Sequence, residues 1–497
     1  MKKRWNRLLG VLLCISLLTC VAVACAKEDG PVANTSRPSG ARDTVKTEDP
    51  DYVDEIPELD FSDRELKIYM RDNDFYITDM YFEDYSDTIS FVDQAVFRRN
   101  EIVSERFGGV YYTLGRSPTA NHGTELSSQM KAGNCEWDIV ITHGHSMTAY
   151  ARNATLQNFY DVPNLDLTKK YWDQNLIKDF TLKGQLYVLS GDISHQLLGH
   201  TDSMVFNKGL CDDLKLDYPY QAVMNGSWTF ELFESMIKMA NAEKGTDNKL
   251  TPEDGDVMGY ITDKYCGPIN VLYSGGGMVS HNDGETYSLS LYNDRNMTVI
   301  ERFFELMERE NCYIFTNWTE ASELVSFRQT YAAGNILFMD LRTYEINDLI
   351  LSGMTDYGVI PWPKYDSNSP GYRSWVDAGA NFIGIPCGKS EDDLSFIGAM
   401  LEVLCAEGHR EVMPVYYEQI LKLKFSQDPQ SHEIMDLIKD GRVYDMASYW
   451  GSPVGMPGNF LATNTRYTFA QFWDEYGTSA ESHATTLNKF FEDNRAK

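Results

Sequence analysis

Several short clusters in this sequence bring together residue types that do chemistry. Arg71-Asp72-Asn73-Asp74-Phe75 closes an alternating segment, Leu66-Lys67-Ile68-Tyr69-Met70. Short acids and amides such as Asn73 and Asp74 suit the hydroxyls of a sugar, which donate and accept together. An ordinary Asx turn would use the same residues. Thr142-His143-Gly144-His145 follows the apolar run Trp137-Asp138-Ile139-Val140-Ile141. A His-x-His pair is a possible metal-ligand spacing, but no neighbouring His, Asp or Glu completes a set, so no metal is assigned. An exposed loop is the plain alternative. Asp340 and Arg342 follow the apolar stretch Ile336–Met339; an Arg there can clamp a hydroxyl or a carboxylate, with Asp340 as its salt-bridge partner. Gly384-Ile385-Pro386-Cys387-Gly388-Lys389-Ser390 imitates a P-loop, yet only three residues separate its glycines where four are required. Glu391, Asp392 and Asp393 would also repel a phosphate, so the segment does not support ATP binding.

The elements that must position these clusters alternate along the chain. Residues 66–70 read as a strand of period two, and 137–141 as a buried parallel strand. Leu186–Leu189, Met204–Phe206, Ile336–Met339, Tyr357–Ile360 and Phe382–Ile385 are further strand candidates. A helical stripe runs through Val92, Ala95, Val96, Arg99, Ile102, Val103 and Phe107. Ser227-Trp228-Thr229 opens a helix with Phe230, Phe233, Ile237 and Ala240 on one face. Ser390 starts another, with Asp393 placed for a capping box. Strands alternating with helices over the whole length predict an α/β fold.

Before these elements stands a basic head (Lys2, Lys3, Arg4, Arg7) and an apolar run from Leu8 to Ala24, the pattern of a secretory signal. Ala22-Val23-Ala24-Cys25 resembles the lipobox of bacterial lipoproteins, with Ala22 where that motif prefers Leu. The resemblance implies lipidation of Cys25 after cleavage; Cys20, after Leu17-Leu18-Thr19, fits the cleavage position less well. Residues 25–59, rich in Pro, Gly, Ser, Thr and Asp, read as a flexible tether. The formal charge is −29. Such an acidic chain repels nucleic acid and anionic membrane surfaces and favours a neutral or cationic solute. Cys135, Cys211, Cys266, Cys312, Cys387 and Cys405 are scattered without a CxxC pair; an exported chain could oxidise them, and buried free thiols fit equally.

Five segments in order resemble the family 1 extracellular solute-binding proteins, the maltose-binding-protein-like group, over residues 60–497. Met204-Val205-Phe206-Asn207-Lys208 is similar to the family's "YYNK" strand end, and Gly226-Ser227-Trp228-Thr229-Phe230 to its "PxTWxxF" helix start. Phe327 through Asp340 resembles "FxxGKAAM", with no Lys after Gly334. Tyr357-Gly358-Val359-Ile360-Pro361-Trp362-Pro363-Lys364 resembles "yGvxPlPk", and Ile385-Pro386 its "IP" strand end. The resemblance implies a two-lobe periplasmic-binding-protein-like fold of type II that closes on a ligand in the interlobe cleft. Lobe one is expected at 60–198 plus 378–414 and lobe two at 203–375 plus 415–497, with hinge crossovers near 191–201 and 375–381.

It also places site residues. The loop carrying His143 and His145 would supply hydrogen bonds, and Asp263 and Tyr265 a second-lobe acid and aromatic. Trp375 and Asp377 would stand at the second hinge, Trp375 offering an apolar face to a pyranose. Tyr449 and Trp450 match a late aromatic pair. Each has an ordinary core or turn role as its alternative. The expected function is a non-enzymatic carbohydrate receptor, anchored by lipid to the outer face of the cytoplasmic membrane. It would feed an ABC permease as a monomer, without cofactor, metal or nucleic acid. A peptide or polyamine receptor and a surface glycoside hydrolase using two carboxylates are the rivals.

Overall fold

The computed structural model describes residues 49–72, 79, 90–118, 122–246, 249–251, 254–315, 329, 331–346, 349, 353–354, 356–417, 431–463 and 467–495. The expected signal, Cys25, Asn73 and Asp74 lie outside them. No helix among the described residues is long and apolar enough to cross a membrane.

Strands of two sheets carry the fold: β1 (Glu65–Asp72), β2 (Tyr111–Pro118), β3 (Ile139–His143), β4 (Asp202–Asn207), β5 (Met258–Asp263), β6 (Cys312–Phe315), β7 (Ile336–Arg342), β8 (Tyr357–Ile360) and β9 (Asn381–Gly384). The first sheet has the order β9-β3-β1-β2 and the second β8-β4-β7-β5-β6. β1 runs parallel to β2 and β3, while β9 returns antiparallel along β3. In the second sheet β5 is parallel to β6 and β7, and β4 is antiparallel to β7 and β8. Ile139, Val140 and Ile141 are buried on both faces, which is why their apolar run is unbroken.

Helices cover these sheets. α1 (Phe91–Arg106) buries Val92, Ala95, Val96, Arg99, Asn100 and Val103, and starts at a reciprocal Ser90–Asp93 capping box. α2 (Gly144–Arg152) springs directly from β3, and α3 (Gln174–Phe180) is capped by Asp173. α4 (Phe230–Ile237) follows Trp228, whose indole is buried against Phe233 and donates to Pro361 O at 3.0 Å. Phe233 in turn meets Tyr260 and Phe338 edge-on at 5.2 and 5.1 Å, so the Gly-Ser-Trp-Thr-Phe segment marks an aromatic core. α5 (Cys266–Ser274), α6 (Glu391–Glu407, capped by Ser390), the one-turn α7 (Met446–Tyr449) and α8 (Phe469–Asp493) complete the frame.

Two expectations are corrected. Leu186–Leu189 is buried but forms no strand; Leu189 alone bridges Ile383 of β9. An apolar run reports burial, and by itself does not tell a paired strand from a buried segment without pairing. The chain is already anchored from Asp49, ten residues before the tether was expected to end at 59. Tyr52 stacks on His409 at 3.9 Å, and buried Asp54 holds Arg106 at 2.6 Å. The few apolar and acidic residues there find partners that composition does not reveal. Of the two states the sequence leaves open for Cys135, Cys211, Cys266, Cys312, Cys387 and Cys405, the structure has free thiols, five of them buried. The C-terminal helix α8 packs Phe490 and Phe491 on Tyr187, and Gln185 donates to Phe491 O at 2.7 Å.

Candidate functional site

Topology forces several strand ends to one place. β3 ends at His143, whose register partner is Asn381, the first residue of β9. In the other sheet β4 starts at Asp202 opposite Arg342, the last residue of β7. The two chain crossings between the sheets pair at Thr201 and Val376. Asp377 N donates to His200 O at 2.8 Å, and Gly144 N to Ala378 O at 2.8 Å. The C-terminal ends of β3, β5 and β7 and both crossovers therefore converge, and loops at such strand ends form ligand crevices.

A cavity of about 260 Å³ opens there, lined by His143, His145, Tyr265, Arg342, Trp375, Asp377, Ala378, Ser448, Tyr449 and Met456. It brings together seven residues singled out from the sequence: His143, His145, Tyr265, Arg342, Trp375, Asp377 and Tyr449. Asp263, Asp340 and Trp450 do not line it. Asp263 is buried behind Tyr265, where it accepts from the Tyr265 and Cys266 N–H groups at 2.6 and 2.9 Å. Trp450 packs into the core against Phe491 at 5.3 Å and Phe180. Asp340 accepts from Trp362 Nε1 at 3.2 Å. It is not the ion partner expected for Arg342, since two residues along a strand shift a side chain by about 6–7 Å. Arg342 instead bonds Asp377 through Nε at 2.5 Å, with Asp263 and Glu345 at 3.6 and 3.7 Å.

Each lining residue is held by its neighbours. Asp377 accepts from Gly379 N at 2.6 Å with its other oxygen. Burial pushes this carboxyl up, but Arg342, His200 and the Gly379 N–H outweigh that and leave it well below the usual carboxylate range. Arg342 also lies over the Trp375 ring at 5.7 Å. Tyr449 stacks on Phe382 at 5.6 Å, and its hydroxyl donates to Val376 O. Gly144 permits this: a Cβ there would meet the Tyr449 ring at 3.0 Å. His145 Nδ1 lies 3.2 Å from Tyr449 O, and His143 Nδ1 accepts from His145 N at 3.2 Å.

Burial, with Arg71 and His145 adding to it, lowers His143 to about 3, and burial lowers nearby His200 to about 4. Both imidazoles are neutral at physiological pH, and a neutral imidazole can donate and accept. Burial and Asp263 raise Asp340 to about 8, so it is a neutral acid at pH 7. No group of three or more His, Cys, Asp or Glu suited to a metal occurs among the described residues. Ala378, Ser448 and Met456 escaped notice in the sequence. Ser448 adjoins Tyr449 on α7 and Ala378 adjoins Asp377; neither these two nor Met456 carries a chemical signal of its own.

The shifted histidine yields a test. His143→Asn keeps an acceptor for His145 N and removes the titration. A His whose folded pKa is depressed binds its proton mainly in the unfolded chain, so its contribution declines as pH falls below the unfolded value of roughly 6.5. Relative to the variant, the wild-type protein is therefore expected to lose up to about 1.4 kcal/mol per pH unit between pH 6 and 4. Urea unfolding across that range reads it; parallel curves for the two proteins would refute the buried, neutral assignment.

No family model and no curated protein matches this sequence. Solved structures do. UspC of M. tuberculosis superposes with a TM-score of 0.56 at 12% identity, covering 84% of this chain and 100% of that one. A cyclo/maltodextrin-binding protein complexed with maltotetraose gives 0.53 at 14%, covering 86% and 96%. The GacH receptor of Streptomyces glaucescens, solved unliganded and with acarbose, gives 0.52 at 12%, covering 86% and 98%. The chain has the two-lobe α/β fold of type II periplasmic binding proteins. That is the architecture of ABC-transporter solute-binding proteins, as the resemblance to the family 1 group implies.

Proposed function

We propose that this protein captures a saccharide in the cavity between His143 and Trp375 and delivers it unchanged to an ABC importer. One observation carries the reading. The neutral His143 imidazole, aromatic faces (Tyr265, Trp375, Tyr449) and a fixed Arg342–Asp377 pair line a single cavity at the meeting of two sheets. Hydroxyls need donors and acceptors together, and the C–H face of a sugar needs a ring to lie on. At about 260 Å³ the cavity is at the small end of ligand sites, which run from roughly 300 to 1,000 Å³. A mono- or disaccharide fills it, and a longer oligosaccharide would extend through its mouth. The saccharide complexes of structurally similar proteins support the class. Within this reading the lobes divide near 60–198 plus 378–414 and 203–375 plus 415–497, and lipid on Cys25 keeps the receptor at the outer face of the membrane.

The rivals fit the site less well. Asp377 is the one carboxylate among the described lining residues and is committed to Arg342, whereas glycoside hydrolysis uses two. A polyamine, too, would find as its one lining carboxylate Asp377, which Arg342 already holds. A calorimetric screen of mono- and disaccharides, maltodextrins, amino acids, peptides and polyamines tests the reading. One saccharide is expected to bind with unit stoichiometry and to be recovered intact by chromatography. At a hundredfold excess over Kd it should stabilise the protein by about 2.7 kcal/mol. Binding confined to peptides or polyamines, or release of cleaved sugar, overturns it.

A further inference from the structure

A second cavity of about 380 Å³ lies at the other end of α7 and shares no lining residue with the first. Its walls come from α3, the 280–282 segment, the 370–373 loop and residues 440–446. Cationic groups there have unused hydrogen-bonding capacity. Arg373, partly buried, makes no hydrogen bond and no ion pair among the described residues, although Asp179 is near enough to act on its charge. Arg442 is nine-tenths buried and pairs with Asp173 at 2.9 Å through Nη2, yet its Nε has no hydrogen-bond partner. Lys178 is exposed at the same cavity. In a chain with 73 acidic and 44 basic residues, an unpaired arginine in a cavity is unexpected, because carboxylates to quench it abound.

The nearby acids do not quench it. Asp440 is exposed, and Asp179 accepts from Tyr444 N at 3.2 Å. Burial raises Asp179 to about 6, which weakens its opposition to an entering anion under mildly acidic conditions. The fork of a guanidinium matches a planar carboxylate, and charge-assisted bonds of this kind are among the stronger ones.

We propose that this cavity is a second ligand site that takes a small organic carboxylate, gripped by Arg373 and Lys178, with the Arg442 charge in the wall behind them. Calorimetric titration of the intact protein with succinate, and with its neutral analogue succinamide, tests it. Succinate is expected to bind one-to-one and succinamide not to bind. Loss of one charged hydrogen-bond partner costs roughly a factor of ten or more in affinity. Arg373→Gln should therefore weaken succinate about tenfold or further, while Arg373→Lys, which keeps the charge, should recover part of the loss. Unchanged circular dichroism and urea midpoint establish that the variants fold; Lys178→Gln, at an exposed position, provides a second reading with a smaller loss. Absence of saturable succinate binding, equal binding of succinamide, or equal affinity in wild type and Arg373→Gln overturns the proposal. Saccharide binding in the first cavity is measured separately and bears on neither result.

Discussion

Replacing Arg342 with methionine is expected to lower stability by about 3–5 kcal/mol, the cost of leaving buried carboxylates without their partner. Arg342 is the hub of the crossover region: it bonds Asp377 at 2.5 Å and stands within 4 Å of Asp263 and Glu345. Asp377 gains most from it. A carboxylate with a depressed folded pKa contributes stability above its unfolded pKa of roughly 3.9, and that contribution fades as pH falls through the folded value. Without the guanidinium, the balance at Asp377 tips toward burial, which favours the neutral acid. The variant should therefore be comparatively weak at pH 7 and approach the wild type toward pH 3. Arg342→Lys should recover only part of the loss, because a compact ammonium cannot reach three carboxylates as a guanidinium fork does. Urea unfolding at pH 7 measures this, and a loss below about 1 kcal/mol would contradict the hub assignment.

Trp375→Ala is expected to weaken saccharide binding by about 10- to 100-fold, or roughly 1.4–2.8 kcal/mol. Trp375 is only 4% exposed, fixed beneath Arg342 and lining the cavity. Buried aromatic anchors of this kind supply a large share of binding energy at low entropic cost. Trp375→Phe retains an apolar face and should restore most of the affinity. A comparison outside the cavity separates binding from folding: Trp228→Ala empties a core site and should cost about 3–5 kcal/mol of stability, with saccharide affinity of the folded protein unchanged. Equal affinity in wild type and Trp375→Ala would remove Trp375 from the site.

The sheets were legible because burial on both faces leaves an unbroken apolar run, as at Ile139–Ile141, and helices because one face repeats, as along α1. Leu186–Leu189 shows the limit: its run is as apolar as a strand, but only Leu189 pairs with β9, and no local pattern records which buried residues will pair. The strand ends were legible as places for polar residues. Which of them face the cavity was not. Tyr449 and Trp450 are neighbours on a single turn, and only three-dimensional packing sends one to the cavity and the other to Phe491. Asp340 and Arg342 share a strand face, yet one lies under Trp362 while the other reaches the crossover. His200 gave no signal either. Its effect on Asp377 depends on a contact between crossovers, Asp377 N to His200 O, that joins residues far apart in the chain.

The central claim is best tested by a crystal structure of the protein grown with its tightest-binding saccharide. The sugar should lie between His143, Tyr265, Trp375 and Tyr449, with hydroxyls bonded to an imidazole and to the Arg342–Asp377 pair. A sugar bound elsewhere, with this cavity holding only water, would contradict the account.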